Sequence, residues 1–288
     1  MSLDLPRPVS EKLRAWGFLL PALGWTVAFF VLPLAIMAVY SLWRRVGNKV
    51  ITDLSLHNYQ AFFEKSFLYE SLINSLEVTI IVTITSIILA YPLAYILAEK
   101  VPQRWQRIAL ILAILPFWTS YVVRSYAWLL VLSEGGILSN FFLDIGLTSE
   151  PISLANSRTA TVIGFVHFFV MLLTLTIFAN LVQLPKNYRR AAADLGAGPI
   201  RTFIYIIFPL TLPGIMVGAF LTFVLCIGDY ITPAILGGKR ELLLPQTIML
   251  QIERRSDFPT ASALAMTLMI VVSMVYMACA RWLKLDRL

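Results

Sequence analysis

The chain has 288 residues, of which 59% are hydrophobic and 14% charged, and its formal net charge is +7. Soluble domains carry about 25% charged residues, so a soluble protein of this size could not bury so much apolar surface. The composition therefore excludes an ordinary soluble domain and predicts a membrane protein. Membrane topology explains the positive net charge better than nucleic-acid binding does, because the basic residues lie in short segments between apolar runs.

The first apolar run follows Arg7, Lys12 and Arg14, an arrangement that signal peptides also have. The apolar part of a signal peptide is about 7–15 residues long. The run Trp16–Tyr40 is longer and contains no charged residue. We therefore expect it to span the membrane and not to be cleaved.

Six runs are long enough to span a membrane, which takes about 20 predominantly apolar residues in a helix. The predicted spans are Trp16–Tyr40, Val78–Ala98, Ile108–Leu132, Thr159–Gln183, Pro209–Ile235 and Pro259–Ala280. The third contains Arg124 and the fifth contains Asp229. Between the first two spans, Leu54–Tyr69 has apolar residues at helical spacing, which fits a short helix on the membrane surface or a folded loop capping the bundle. We treat residues 1–288 as one domain.

The basic residues predict the orientation of these spans. If the N-terminus is cytoplasmic, the inside segments are 1–15, 99–107, 184–208 and 281–288. These segments hold 13 basic and five acidic residues, whereas the rest of the chain holds 10 basic and 11 acidic residues. Cytoplasmic loops carry the excess of Lys and Arg, so we expect both termini inside.

Motifs of enzyme chemistry do not occur in the sequence. Gly237-Gly238-Lys239 is not preceded by the glycine that a phosphate-binding loop needs, and no metalloprotease or nucleophile-elbow motif is present. Cys226 and Cys279 lie inside apolar runs and are interpreted as small core residues. We expect a transport subunit and not an enzyme, with any ATP hydrolysed by another chain.

The loop between spans four and five, residues 184–208, is the most informative segment. Pro185 ends the preceding span, Asn187 can cap a new helix, and three alanines favour helix from 191 to 193. Gly196 and Gly198-Pro199 stop that helix. The pattern predicts a helix of about three turns, with a narrow face that another protein can approach closely.

This loop resembles that of permeases of binding-protein-dependent ABC importers, which follows the pattern Glu-Ala-Ala-x3-Gly-x9-Ile-x-Leu-Pro. The matching residues here are Arg190-Ala191-Ala192, Gly196, Ile206, Phe208 and Pro209. The resemblance implies an all-α integral membrane protein with the six transmembrane helices of the type I (MetI-like) importer-permease fold. It also implies that the loop contains a cytoplasmic coupling helix, which sits in a groove of the ATPase subunit.

Two positions depart from the family pattern, since Arg190 replaces a glutamate and Phe208 replaces a leucine. The altered charge implies an ATPase with a complementary acidic patch, or a second permease that carries the standard motif. The resemblance gives the ATPase-coupling role to Tyr188, Arg189, Arg190, Ala191, Ala192, Asp194, Leu195, Gly196 and Ala197.

A narrower resemblance covers nearly the whole chain. Leu115-Pro116-Phe117-Trp118-Thr119-Ser120 and Arg124-Ser125-Tyr126-Ala127-Trp128 are similar to the third span of spermidine/putrescine permeases, of the first-permease type. This likeness implies import of a small charged solute, with a polyamine as the expected substrate. Opines, aminoethylphosphonate and other small organic solutes stay open as alternatives. A stand-alone channel or secondary transporter is the rival class, although such proteins usually show internal repeats or more intramembrane charges.

Asp229 is the candidate cation-lining group, because charges inside a membrane usually face a bundle interior or water. Aromatic rings for ammonium groups could come from Trp118, Tyr121, Tyr126 and Tyr230. Three roles stay open for Asp229: a structural pair with Arg124, a place on the substrate pathway, and an interfacial position. The aromatic residues could equally form an interfacial belt. Glu77 and Glu134 are placed at the outer surface, and His167 is interpreted as a packed polar group.

The resemblance also implies the assembly around the chain. A second permease would complete a hetero-dimer, two ATPase subunits would use ATP and Mg, and a periplasmic or surface-tethered binding protein would deliver substrate. We expect membrane lipid but no nucleic acid as a partner, and no cofactor or metal bound by this chain. The expected location is the bacterial cytoplasmic (inner) membrane, with multiple spans and both termini in the cytoplasm.

Overall fold

The computed structural model describes residues 9–47, 49–185, 187–238 and 241–283. The helices are α1 Val9–Thr26, α2 Leu32–Leu42, α3 His57–Glu64, α4 Ser66–Glu99, α5 Gln103–Ile114, α6 Tyr121–Leu132, α7 Ile137–Asp144, α8 Arg158–Gln183, α9 Asn187–Asp194, α10 Pro199–Thr202, α11 Phe208–Ile227, α12 Ile231–Leu236, α13 Leu244–Glu253 and α14 Phe258–Leu283. π-Helical turns cover Val27–Val31 and Phe203–Ile207, and a 3₁₀ turn covers Leu115–Trp118. The predicted all-α class is confirmed.

Six segments of the described chain are long and apolar enough to cross a membrane, which confirms the predicted number. They are Trp16–Leu42, Ser66–Glu99, Tyr121–Asp144, Arg158–Gln183, Pro199–Ile227 and Phe258–Ala280. The first, fourth and sixth agree closely with the predicted bounds. The second begins at Ser66 and not at Val78, because α4 continues without interruption for 34 residues. Part of the charge pattern that predicts the orientation, residues 1–8, 186 and 284–288, lies outside the described residues.

The predicted third span, Ile108–Leu132, is not one continuous helix. Helix α5 ends at Ile114, and after the 3₁₀ turn the backbone of Thr119 and Ser120 is extended, with ψ of 148° and 133°. Proline in this turn has no N–H to continue an α-helical hydrogen-bond ladder. The candidate span in this part of the chain is Tyr121–Asp144, which comprises α6 and α7.

The predicted fifth span, Pro209–Ile235, also has different bounds. The helical run begins at Pro199 as α10 and ends at Ile227 as α11, and a separate helix, α12, follows. The break falls at Gly228–Tyr230, where the Asp229 side chain accepts hydrogen bonds from the first amides of α12. Hydropathy could not indicate this break, because the residues on both sides of it are apolar.

The chain divides into two compact units. One comprises residues 1–64 and 250–267, and within it β1 (Arg44–Val46) pairs antiparallel with β2 (Lys49–Ile51). Asn58 on α3 donates to the carbonyls of Ser41 at 2.9 Å and Trp43 at 2.6 Å. The segment Leu54–Tyr69 therefore contains a short helix anchored by a buried amide; its predicted place on the membrane surface stays a prediction.

The other unit comprises residues 65–249 and 268–288, and its core is formed by α4, α8 and α11. A Cβ atom at Gly218 on α11 would lie only 2.7 Å from the Thr176 hydroxyl on α8, so a glycine permits this close approach. Cys226 is buried in the core, as predicted, whereas Cys279 is partly exposed. His167 on α8 accepts a 2.9 Å hydrogen bond from the Trp128 indole, which confirms that it is a packed polar group.

Candidate functional site

Helix α9 lies between α8 and α10, where the sequence predicts the coupling helix. It has eight residues, which is about two turns and shorter than the predicted three. The chain leaves it through a Schellman motif: the amide of Ala197 donates to Ala192 O at 2.9 Å, and that of Gly196 donates to Ala193 O at 2.9 Å. Gly196 has φ of +79°, in the left-handed region where a side chain is unfavourable. The predicted stop at Gly196 is therefore confirmed.

One side of α9 packs against the protein. The side chain of Ala192 is 3% exposed, and the Arg189 guanidinium donates to the Glu99 carboxylate at the end of α4. The Arg189 and Glu99 side chains are 25% and 17% exposed. The small alanine and the ion pair thus hold this side of α9 against the body of its unit.

The other side of α9 is exposed. Tyr188, Ala191 and Leu195 lie at positions i, i+3 and i+7, so they share one face of the helix. Leu195 is 88% exposed, and Arg190 also lies at the surface. Of the predicted coupling residues, those exposed are Tyr188, Arg190, Ala191, Asp194, Leu195 and Gly196; Arg189 and Ala197 are partly buried and Ala192 is buried.

The chain connects α9 directly to the fifth candidate span. Pro199 begins α10, the π-helical turn follows, and α11 continues the same helical run. The Phe203 ring in that turn lies 5.7 Å from the Tyr91 ring and 5.3 Å from the Tyr95 ring of α4, centroid to centroid. These edge-to-face contacts join the start of the span to α4.

Asp229 is surrounded by groups that donate to its carboxylate. Its Oδ1 accepts from the Ile231 amide at 2.8 Å, and its Oδ2 accepts from the Thr232 amide at 3.4 Å and from the Tyr121 hydroxyl. Asp229 therefore caps the N-terminus of α12 and ties it to α6, and the Tyr121 hydroxyl also contacts the Thr232 hydroxyl.

Arg124 and Asp229 form no direct ion pair within 4.0 Å among the described side chains. Arg124 is 8% exposed, and its guanidinium lies 5.0 Å from the Phe168 ring centroid and 5.6 Å from that of Tyr121. Its Nε and Nη1 atoms have no hydrogen-bond partner in the described part of the chain. The direct pair considered in the sequence analysis is thus replaced by an indirect connection through Tyr121.

The other predicted pathway aromatics form no hydrogen bond with the Asp229 carboxylate among the described residues. Trp118 is 86% exposed in the break before α6, and Tyr126 is exposed on the face of α6 away from the buried Arg124. Tyr230 is adjacent to Asp229 in the chain and is partly buried. The structure therefore joins Tyr121 to Asp229 by a hydrogen bond and places the Arg124 guanidinium 5.6 Å from the Tyr121 ring centroid, whereas the Trp118 and Tyr126 side chains are exposed.

Two features were not found from the sequence. Glu99 begins the predicted inside segment 99–107, and its pairing is not evident from charge alone; an acidic last residue of a long helix is unfavourable against the helix dipole and indicates a counterion. The second is a cavity of about 920 Å³ between the start of α8 and the segment after α12. Glu77 pairs with Arg158 at 2.6 Å near that end of α8, and its side chain is 57% exposed.

The fold and the helix between α8 and α10 define a class of protein. A family model described as "Binding-protein-dependent transport system inner membrane component" matches residues 78–284. The chain belongs to this family: it is a membrane-spanning permease subunit of an ABC importer, a multi-pass inner-membrane transport protein and not an enzyme.

Individual proteins similar to this chain give a more specific comparison than the family model. The chain is 34% identical over 265 residues to the spermidine/putrescine transport system permease protein PotB of Escherichia coli strain K12, covering 91% of this chain and 96% of that protein. It is 30% identical to the protein of the same name from Haemophilus influenzae, covering 91% of each. Its fold matches a chain of a bacterial alginate ABC transporter crystallised with alginate pentasaccharide-bound periplasmic protein, with a TM-score of 0.79, 14% identity and coverage of 96% and 97%.

Proposed function

We propose that this permease imports a polyamine such as spermidine or putrescine by alternating between outward and inward openings. The observation that supports a polyamine substrate is the similarity to spermidine/putrescine permeases along about nine-tenths of the chain. The sequence signature of the break before α6, Leu115–Ser120, belongs to the same likeness.

Helix α9 is the proposed docking element for an ATPase subunit. Its packed side, held by Ala192 and the Arg189–Glu99 pair, would fix its position, and its exposed side offers Tyr188 and Leu195 to a groove. Tyrosine is a typical anchor of protein interfaces, and the neighbouring Leu195 would add apolar contact area. ATP and Mg would be bound by the ATPase subunits, and this chain would bind neither.

The remaining partners follow from the function of such an importer. A second permease would complete the translocation pathway, and a periplasmic or surface-tethered protein would deliver the substrate. We place both termini of this chain in the cytoplasm, because the basic residues concentrate in segments on that side. Reporter fusions at residues 150 and 256 should be extracytoplasmic; cytoplasmic signals at both positions would reverse the orientation.

A second substrate class has one observation in its favour. Arg124 is a buried guanidinium whose Nε and Nη1 atoms have no partner among the described residues, and an anionic group would satisfy them. An opine or aminoethylphosphonate would provide such a group. The pathway role of Asp229, Tyr121, Arg124, Trp118, Tyr126 and Tyr230 stays a prediction for either substrate class.

Reconstitution tests these proposals. The chain is purified with the ATPase, second permease and binding protein encoded by neighbouring genes, and inserted into proteoliposomes. Polyamine should stimulate ATP hydrolysis and accumulate inside, and spermidine and putrescine should compete for uptake while an opine does not. Competition by the opine alone would replace the polyamine with the second class, and uptake without any ATPase subunit would contradict the importer.

A further inference from the structure

The C-terminal half of α4 contacts both α9 and the π-helical turn Phe203–Ile207 through residues spaced four apart. Tyr91, Tyr95 and Glu99 lie on one face of the helix because four residues make about one turn. Tyr91 and Tyr95 contact the Phe203 ring in the π-helical turn, and Glu99 pairs with Arg189 on α9. One face of a single helix therefore contacts both the docking helix and the start of the span that follows it.

Glu99 is an unusual residue for its position. It is the last residue of a 34-residue helix, where the dipole places partial negative charge and disfavours a carboxylate. Its side chain is only 17% exposed, and burial makes an unpaired carboxylate more costly. The guanidinium of Arg189 offsets both penalties, so the carboxylate and the docking helix stabilise each other's position.

Among the hydrogen bonds of the described residues, this ion pair is the side-chain bond that joins α9 to a spanning helix. It lies beside a cavity of about 400 Å³ that is lined by the ends of α4 and α8 together with Arg189. The cavity leaves space into which α9 and the end of α4 can move together. Because both partners of the ion pair line this space, the bond can carry a displacement of one helix to the other.

We propose that the Glu99–Arg189 ion pair transmits movement of the docking helix α9 to α4, and that both residues are positioning residues for coupled transport. The inference rests on the proposed function of α9 and adds a second path of transmission. Movement would reach the fifth span along the chain through α10, and it would reach α4 through the ion pair.

The test compares transport with ATP hydrolysis in the complete, reconstituted complex. Glu99→Gln and Arg189→Gln should each raise the ATP hydrolysed per substrate imported about tenfold, because one charge of a partly buried pair is left without its partner. The exchange of charges, Glu99→Arg with Arg189→Glu, should return the ratio to within about twofold of wild type. Glu77→Gln is the matched control, since Glu77 also lies on α4 and pairs with an arginine, and its ratio should not change.

Three outcomes would overturn the proposal. An unchanged ratio in Glu99→Gln would show that the pair transmits nothing. A loss of ATPase binding in that variant, measured by co-purification, would show that the pair only supports docking. If the complex with the exchanged pair does not assemble, the charge-conserving variants Glu99→Asp and Arg189→Lys are tested in its place. If they hydrolyse as much ATP per substrate imported as the glutamine variants do, the role does not depend on charge and the proposal is contradicted. Absence of substrate-stimulated hydrolysis in the wild type would instead contradict the proposed function itself.

Discussion

The proposed docking helix α9 and the junction around Asp229 both carry residues predicted to be functional, but they differ in how far those residues already have partners within the chain. Tyr188 on α9 and Leu195 directly after it are exposed, so this face has no partner among the described residues. At the junction, by contrast, Asp229 accepts from Tyr121 and from the first amides of α12. An unused face indicates a partner outside the chain, whereas a carboxylate with its oxygens occupied indicates a structural role within it.

The largest effect is expected from Gly196→Val. A valine would have to adopt the left-handed backbone at φ +79°, which costs about 1–2 kcal/mol for an ordinary residue and more for a β-branched one. The Schellman motif would be lost and α9 would leave the chain in another direction. We expect substrate-stimulated ATP hydrolysis to fall about tenfold, as 1.4 kcal/mol corresponds to a factor of ten.

The neighbouring glycine provides the control for that substitution. Gly198 has φ of −68°, and a Cβ atom built on it meets nothing within 4 Å. Gly198→Val should therefore keep most of the hydrolysis. Equal losses in both variants would show that the left-handed turn is not what positions α9.

A smaller effect is expected at Asp229, and it falls on stability. Asp229→Ala removes the cap of α12 and should lower the free energy of unfolding by about 1 kcal/mol, measured as a lower melting temperature in detergent. Asp229→Asn should keep both the melting temperature and polyamine uptake, because asparagine caps a helix as well as aspartate does. Normal stability with a tenfold loss of uptake in the asparagine variant would instead place the charge on the substrate pathway.

The smallest effect is expected at Arg190, which is exposed at the docking helix. Arg190→Ala should weaken binding of the ATPase subunit by about two- to fivefold at low salt, because an exposed charge at an interface contributes little. The difference should decrease as salt rises, since exposed charges are screened. An effect as large as that of Gly196→Val would make this arginine a dominant docking contact and explain why it replaces the glutamate of the family pattern.

The sequence was most informative where structure depends on neighbouring residues. The alanines of α9 and the stop at Gly196 are local signals, and both were predicted. The length of α9 was overestimated because the Schellman motif occupies what was counted as its last turn. The number of spans was also correct, since a run of apolar residues in lipid has few alternatives to a helix.

Contacts between distant parts of the chain could not be predicted in the same way. Tyr121 lies on α6 and Asp229 lies in the break before α12, and only the packing of α6 against α12 brings them together. The same holds for Glu99 and Arg189, whose pairing requires the C-terminal end of α4 to lie beside α9. The break after Ile227 depends on a side chain capping the next helix, so hydropathy alone suggested one continuous span.

The length of α4 has a consequence for the lipid environment of the protein. Its 34 residues extend about 51 Å, well beyond a hydrocarbon core of about 30 Å. Glu77 and Glu99 are each paired with an arginine. The part of α4 between them rises about 33 Å, so the two carboxylates lie on either side of a layer about as thick as the hydrocarbon core. In a bilayer with longer or shorter acyl chains, either the membrane would have to thin or thicken locally or the helix would have to tilt to keep both charged pairs in water. Transport by this permease should therefore depend on acyl-chain length, with an optimum where the membrane matches the distance between those two carboxylates.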